Sequence, residues 1–159
     1  MAWRSQAAGA GTEAARDEVF NSWRIKLHGL VEKEITLSIA DLEALPRVVR
    51  PCLLVCAGNR RKEQNTVKKT IGFNWGAAGL SCSTWEGCRL IDVLALAGIK
   101  PKAEGAKHVH FTGPPGELPK GEDGSYGTSL KREYALNPDN DVLLVWKQNG
   151  ERLAPDHGF

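Results

Sequence analysis

Apolar and polar residues alternate along Trp23-Arg-Ile-Lys-Leu-His28, the mark of a strand with one face covered. Gly29 and Leu30 turn the chain, and Glu34-Ile-Thr-Leu37 returns to the extended pattern. Ser38 then stands as the N-cap of a short helix over Ile39 to Leu45, which Pro46 stops. Cys52-Leu-Leu-Val-Cys56 is a compact apolar run, read as a buried strand that ends in a glycine-bearing loop. Gly72-Phe-Asn-Trp-Gly-Ala-Ala-Gly79 is too rich in glycine for a helix or a regular strand and predicts an ordered loop. Leu90, Val93, Leu94 and Ala97 recur at helical spacing, with Gly98 placed as the stop. His108-Val-His-Phe111 reads as a strand. Residues Gly113 to Gly127 hold five Gly and three Pro and form a long irregular loop, a kind that carries function or moves. Asp141 to Trp146 is a strand, and Asn149-Gly150 signals a hairpin into Arg152-Leu153. The fold class is α+β, with mixed β-sheets and short helices. Residues 1–22 form an Ala/Gly-rich tail expected to be disordered, and residues 23–159 form one domain.

Composition narrows the field. The 159 residues are enough for one core, and 42% hydrophobic with 25% charged residues is ordinary for a globular chain. A net charge of only +2 makes no case for nucleic acid as a partner. No apolar run approaches the ~20 residues that cross a bilayer, so no membrane partner is expected. The start of the chain lacks the apolar stretch of a secretory signal. Cys52, Cys56, Cys82 and Cys88 form no CxxC pair, and the four histidines lack HExxH-type spacing, so zinc is not expected. Reduced thiols in the cytosol are the default, which makes the expected compartment cytoplasmic. Cys52, Cys82 and Cys88 read as small apolar fillers.

The chemistry concentrates in Cys56-Ala-Gly-Asn-Arg-Arg-Lys-Glu-Gln-Asn65. A thiol at the end of a strand is followed by a glycine turn and three cations, Arg60, Arg61 and Lys62. Positive neighbours favour the thiolate, the metal-binding form, and arginine forks suit planar oxyanions. On residue chemistry alone, a structural cysteine beside solvated surface charges stands next to this reading, and for Trp75 a core aromatic does.

Cys56-Ala-Gly-Asn-Arg-Arg61 resembles the signature of the sulfite oxidase superfamily. Gly72-Phe-Asn-Trp-Gly-Ala-Ala-Gly-Leu-Ser81, Trp85-Glu-Gly87, Leu90-Ile-Asp-Val-Leu94, Tyr126-Gly-Thr-Ser-Leu-Lys-Arg-Glu133, Asn149-Gly-Glu-Arg-Leu153 and Asp156-His-Gly-Phe159 follow that family in order and spacing. The resemblance covers roughly residues 23 to 159. Lys62-Glu-Gln-Asn65 after the double arginine is similar to the eukaryotic assimilatory nitrate reductases, with sulfite oxidase as the alternative.

The resemblance implies a sulfite-oxidase-like molybdopterin-binding fold, incomplete here, and a molybdenum-molybdopterin cofactor. Cys56 would be the single protein ligand to the metal, and Asn59, Arg60 and His157 would bind the cofactor. Arg61 and Trp75 would line the pocket of the substrate anion, nitrate, which is reduced to nitrite by oxygen-atom transfer. Tyr126, Ser129, Lys131, Arg132 and, less directly, Glu117 are further candidates to line the cofactor cleft. Full-length members of the family also carry haem and FAD, and homodimerise through a β-sandwich domain. Neither those domains nor the family's arginine-and-histidine segment before the cysteine is matched here. The chain therefore reads as a fragment, with an inactive, truncated cofactor-binding piece as a further alternative.

Overall fold

The computed structural model describes residues 13–113, 127–153 and His157. The chain order is α1 (Glu13–Ser22), β1 (Arg24–Leu27), β2 (Ile35–Ser38), α2 (Ile39–Glu43), β3 (Arg47–Val55), α3 (Arg61–Val67), β4 (Leu80–Arg89), α4 (Leu90–Ala97), β5 (His108–Thr112), β6 (Gly127–Lys131), α5 (Arg132–Ala135), β7 (Leu143–Gln148) and β8 (Glu151–Arg152). All pairing is antiparallel: β1 with β2, β5 with β6, and a four-stranded sheet in the order β3-β4-β7-β8. The α+β expectation holds.

Local chemistry explains the element ends. Ser38 Oγ accepts from the Asp41 backbone N–H at 3.2 Å, and Asp41 Oδ2 accepts from the Ser38 N–H at 2.8 Å. This reciprocal capping box opens α2, and the Ser38 hydroxyl, donating to Asp41 Oδ2 at 2.6 Å, holds the Asp41 carboxyl below the usual carboxylate range with help from the Ser38 N–H. The helix closes at Glu43, two residues before the expected end. At the end of α4, Gly98 adopts φ 66 and donates its N–H to Leu94 O at 3.0 Å, a left-handed stop that disfavours a side chain. Asn149 (φ 52) and Gly150 (φ 86) make the tight turn between β7 and β8. Asn149 also binds Thr84 twice, through N–H to Thr84 O at 2.7 Å and through Oδ1 from Thr84 N at 2.9 Å, tying the hairpin to β4.

The core sits on both sides of α4. Val93 packs with Phe20, Leu37, Ile39, Leu42, Cys88 and Trp146, whereas Leu90 and Leu94 pack with Ala135 and the partly buried Val109, Phe111 and Leu130. Gly87 marks a bulge in β4, where a Cβ would come 1.9 Å from Leu144 O, so no side chain fits there. The buried Glu86 beside it is met by Arg47 at 2.9 Å and Lys147 at 3.6 Å.

Three expectations are corrected. The tail expected to be disordered through residue 22 is helical over Glu13–Ser22, because buried Phe20 anchors it in the core and Arg152 stacks on the Phe20 ring at 4.3 Å. The run Cys52–Cys56 is strand through Val55 but not buried: Leu53, Leu54 and Val55 keep about half of their surface exposed, at 56%, 48% and 56%. The cause is topological. β7 pairs with β4 only over Trp85–Arg89, so the outer half of the β3/β4 ribbon has no third strand beside it. Cys88 is the buried filler expected, and burial pushes its thiol up to about 11, while Cys52 and Cys82 lie exposed on that ribbon.

Candidate functional site

Cys56 follows the last residue of β3, at the exposed tip of the ribbon. Its backbone N–H donates to Gly79 O at 2.8 Å, which closes the ribbon by one further rung and fixes where the chain leaves it. The turn that follows folds back on the thiol, so that the Gly58 N–H points to Cys56 Sγ at 3.3 Å. Of the neighbouring cations, Arg60 is engaged with a carboxylate instead. Arg60, at φ 62 ahead of α3, pairs with Glu63 through Nε at 2.9 Å, which raises the Arg60 pKa and lowers that of Glu63.

Two loops, 56–62 and 72–79, are stitched together rung by rung. Asn59 Oδ1 accepts from Gly79 N at 3.0 Å, Arg60 N–H donates to Gly76 O at 2.8 Å, and Lys62 N–H donates to Trp75 O at 3.0 Å. The Asn59 amide oxygen is thus held by the loop. Arg61 is the residue that faces the gap between the loops. Its Nη1 donates to Phe73 O at 3.2 Å, and its guanidinium lies over two glycines. A Cβ at Gly72 (φ 123) would stand 2.5 Å from Arg61 Nη1. A Cβ at Gly58 would stand 2.9 Å from Trp75 Cδ1 and 3.0 Å from Arg61 Nη2. Gly58 is buried between the two side chains while its N–H serves Cys56. Trp75 is 52% exposed, which excludes a core role, and Phe73 braces it edge-on with ring centroids 6.3 Å apart.

The structure therefore brings Cys56, Arg61 and Trp75 together around Gly58, with Asn59 and Arg60 behind them. His157 lies apart, with its ring 5.8 Å from that of Trp85. Trp85 is opposite Arg50, six residues before Cys56 on β3, or about 20 Å of strand. Ser129 and Lys131 are exposed on β6, and Arg132 is engaged with Lys100 O through Nε at 3.2 Å. Glu117, Tyr126 and most of the glycine- and proline-rich loop lie outside the described residues. Gly58, Gly72 and Phe73 are site residues that the sequence reading missed. The glycines were visible in the sequence, but their packing against Arg61 was not.

These residues fit a single-thiolate metal ligand. The thiol is open to a ligand, and its sulfur receives one backbone donor from Gly58, against which the Arg61 guanidinium and the Trp75 indole pack. Comparison with known proteins adds the family. The profile of the oxidoreductase molybdopterin binding domain matches residues 12–159. Nitrate reductase [NADH] of Ulva prolifera is 56% identical over 140 residues, which cover 88% of this chain and 16% of that protein. Nitrate reductase [NADH] 1 of Oryza sativa subsp. japonica is 50% identical over 141 residues, covering 88% and 15%. The chain thus spans about one sixth of the length of these relatives. Among solved structures, the sulfane dehydrogenase SoxCD from Paracoccus pantotrophus superposes with a TM-score of 0.63 at 26% identity, over 88% of this chain and 32% of that one. The chain belongs to the oxidoreductase molybdopterin-binding domain family.

Proposed function

We propose that this chain supplies the metal-ligating thiolate and part of the anion pocket of a nitrate-reducing molybdenum domain, in which nitrate is reduced to nitrite. The observation that carries the proposal is the convergence of Arg61 and Trp75 on Gly58, whose N–H serves Cys56 Sγ. The relatives named nitrate reductase, at 50–56% identity, supply the substrate. Cys56 holds the metal, and the bound molybdenum cofactor supplies two-electron oxygen-atom transfer. Arg61 attracts the planar monoanion and fixes its orientation through the guanidinium fork, and it keeps that geometry because Phe73 O and the two glycines leave it one place to lie. Trp75 walls the pocket and keeps water off the anion. Asn59 and Arg60 act on the cofactor through the loop they brace. His157 meets the cofactor away from the metal, in keeping with its place on Trp85.

In the same reading the protein is cytoplasmic, which four free cysteines support. No described helix is long and apolar enough to cross a membrane. Electrons arrive through haem and FAD groups of a longer, homodimeric polypeptide. Sulfite oxidation is the second reading, and SoxCD, a sulfane dehydrogenase, matches at about half the identity of the nitrate reductases.

One experiment tests the assignment. In the full-length polypeptide loaded with cofactor, Cys56→Ala loses bound molybdenum and nitrite production from a reduced dye, whereas Cys52→Ala keeps both. Equal losses in the two variants overturn the ligand assignment. Oxidation of sulfite without turnover of nitrate overturns the substrate.

A further inference from the structure

Beside Arg61, α3 and the loop that follows it line an open, polar cleft of about 330 Å³. Lys62 and Lys69 stand on its rim, Asn65, Thr70 and Asn74 line it, and Gly72 forms one wall. That wall is thin. The Arg61 guanidinium lies directly against Gly72, with Nη1 only 2.5 Å from the place a Cβ would take.

The hydrogen bonds inside the cleft leave it electropositive. Asn65 Oδ1 accepts both the N–H and the hydroxyl of Thr70 at 2.9 Å. Asn74 Oδ1 accepts from Asn65 Nδ2 at 2.5 Å. The side-chain amide oxygens are therefore turned inward and satisfied, and the Asn74 amide nitrogen and two ammonium groups remain to face a ligand. Glu63, the carboxylate on the same helix, is taken by Arg60. Among the described residues, neither Lys62 nor Lys69 takes part in an ion pair. A cation finds no free carboxylate among the residues that line the cleft.

We propose that this cleft is a second anion site, an antechamber that gathers small inorganic oxyanions of the nitrate class and passes them to Arg61 past Gly72. The proposal rests on the reading of Arg61 as the substrate-anion residue. Uncompensated positive charge at the mouth of a pocket raises the local anion concentration and the rate of capture, and it acts over the ~8 Å Debye length of physiological salt. Glycine at position 72 serves both sides, since a side chain there would push the Arg61 guanidinium away.

The test uses chloride as the probe and needs no cofactor. The 159-residue chain broadens the chlorine NMR line of sodium chloride, and sodium nitrate reverses the broadening. The double variant Lys62→Gln/Lys69→Gln loses most of that nitrate-reversible broadening. Arg61→Gln and the control Lys100→Gln keep it, with circular dichroism confirming that each variant is folded. Wild-type broadening in the double variant overturns the proposal, as does its loss in Arg61→Gln alone or an equal loss in Lys100→Gln. In the cofactor-loaded, full-length polypeptide the double variant raises the KM for nitrate by about 3- to 10-fold at low salt, leaves kcat unchanged and flattens the dependence of KM on ionic strength. An unchanged KM overturns the antechamber role. Failure of the nitrate reading has a different signature: the loaded wild type yields no nitrite while the chloride result stands.

Discussion

The α4 region and the outer half of the β3/β4 ribbon share a composition and differ in everything built on it. α4 reads Leu-Ile-Asp-Val-Leu-Ala-Leu-Ala and buries Leu90, Val93, Leu94 and Ala97 against two sets of strands. The ribbon tip reads Leu-Leu-Val on β3 and begins with Leu80 on β4, yet all four residues are exposed. Phe73 and Trp75, on the loop that rests on this tip, are exposed too. Apolar character therefore marks two different things in one chain. In α4 it drives burial, and at the tip it frames the place where thiol, guanidinium and indole are open to a ligand.

The largest test of this contrast is truncation. Leu90→Ala is expected to destabilise the chain by about 2–5 kcal/mol, as buried leucines do. Leu54→Ala removes the same atoms from an exposed position and should stay within about 0.5 kcal/mol. Urea unfolding of both variants checks the pair. Equal shifts of the midpoint would mean that the tip is packed after all.

Periodicity made α4 legible because its four buried positions fall on adjoining faces and Gly98 stops it. Asn149-Gly150 was legible because only a tight turn satisfies that pair between two extended runs. The burial of residues 52–56 was misread because an apolar run reports the strand but not the layers beside it, and β7 stops short of the tip. Helix α1 escaped notice because Phe20, its one buried residue among those described, makes no periodic pattern. At the site, Cys56, Arg61 and Trp75 were legible through the resemblance of their motifs. The contacts that place them were not, since Gly58 and Gly72 matter only through residues 3 to 17 positions away in sequence that the fold brings near.

A middle-sized effect sharpens the site half of the comparison. Gly72→Ala puts a Cβ at φ 123, a region L-residues avoid, and drives it into Arg61 Nη1. The strain costs about 1–3 kcal/mol and is local, so it should disturb the near-ultraviolet circular dichroism of Trp75 before it lowers the unfolding midpoint. Adding Arg61→Ala relieves the clash but not the φ strain, so the double variant should lose less stability than the sum of the singles. Strict additivity would show that the guanidinium does not rest on Gly72.

The smallest effect lies on the boundary between the two regions. Asp141 precedes β7 in a left-handed conformation (φ 46) and joins Arg50 of the exposed strand to Arg89 at the covered end of β4, with Nε to carboxylate distances of 2.7 and 2.9 Å. The Arg89 hydrogen bond is the main reason its carboxyl lies below the usual carboxylate range, and Arg50 adds to it. A carboxylate depressed in the folded state stabilises the fold above its unfolded pKa, ~3.9, and stops doing so as pH falls through the lower folded value. Asp141→Asn keeps the left-handed backbone, which asparagine tolerates, removes the charge and leaves one oxygen to accept from only one of the two arginines. Because the pair is open to solvent, the variant should lower Tm by only about 1–3 °C at pH 7 and low salt. The gap should narrow in 1 M salt and close as pH drops below about 4, where the wild-type carboxylate is also losing its charge. A gap that persists unchanged at pH 2 would assign the loss to hydrogen-bond geometry at the turn, and the two arginines would then not be the tie between ribbon and core.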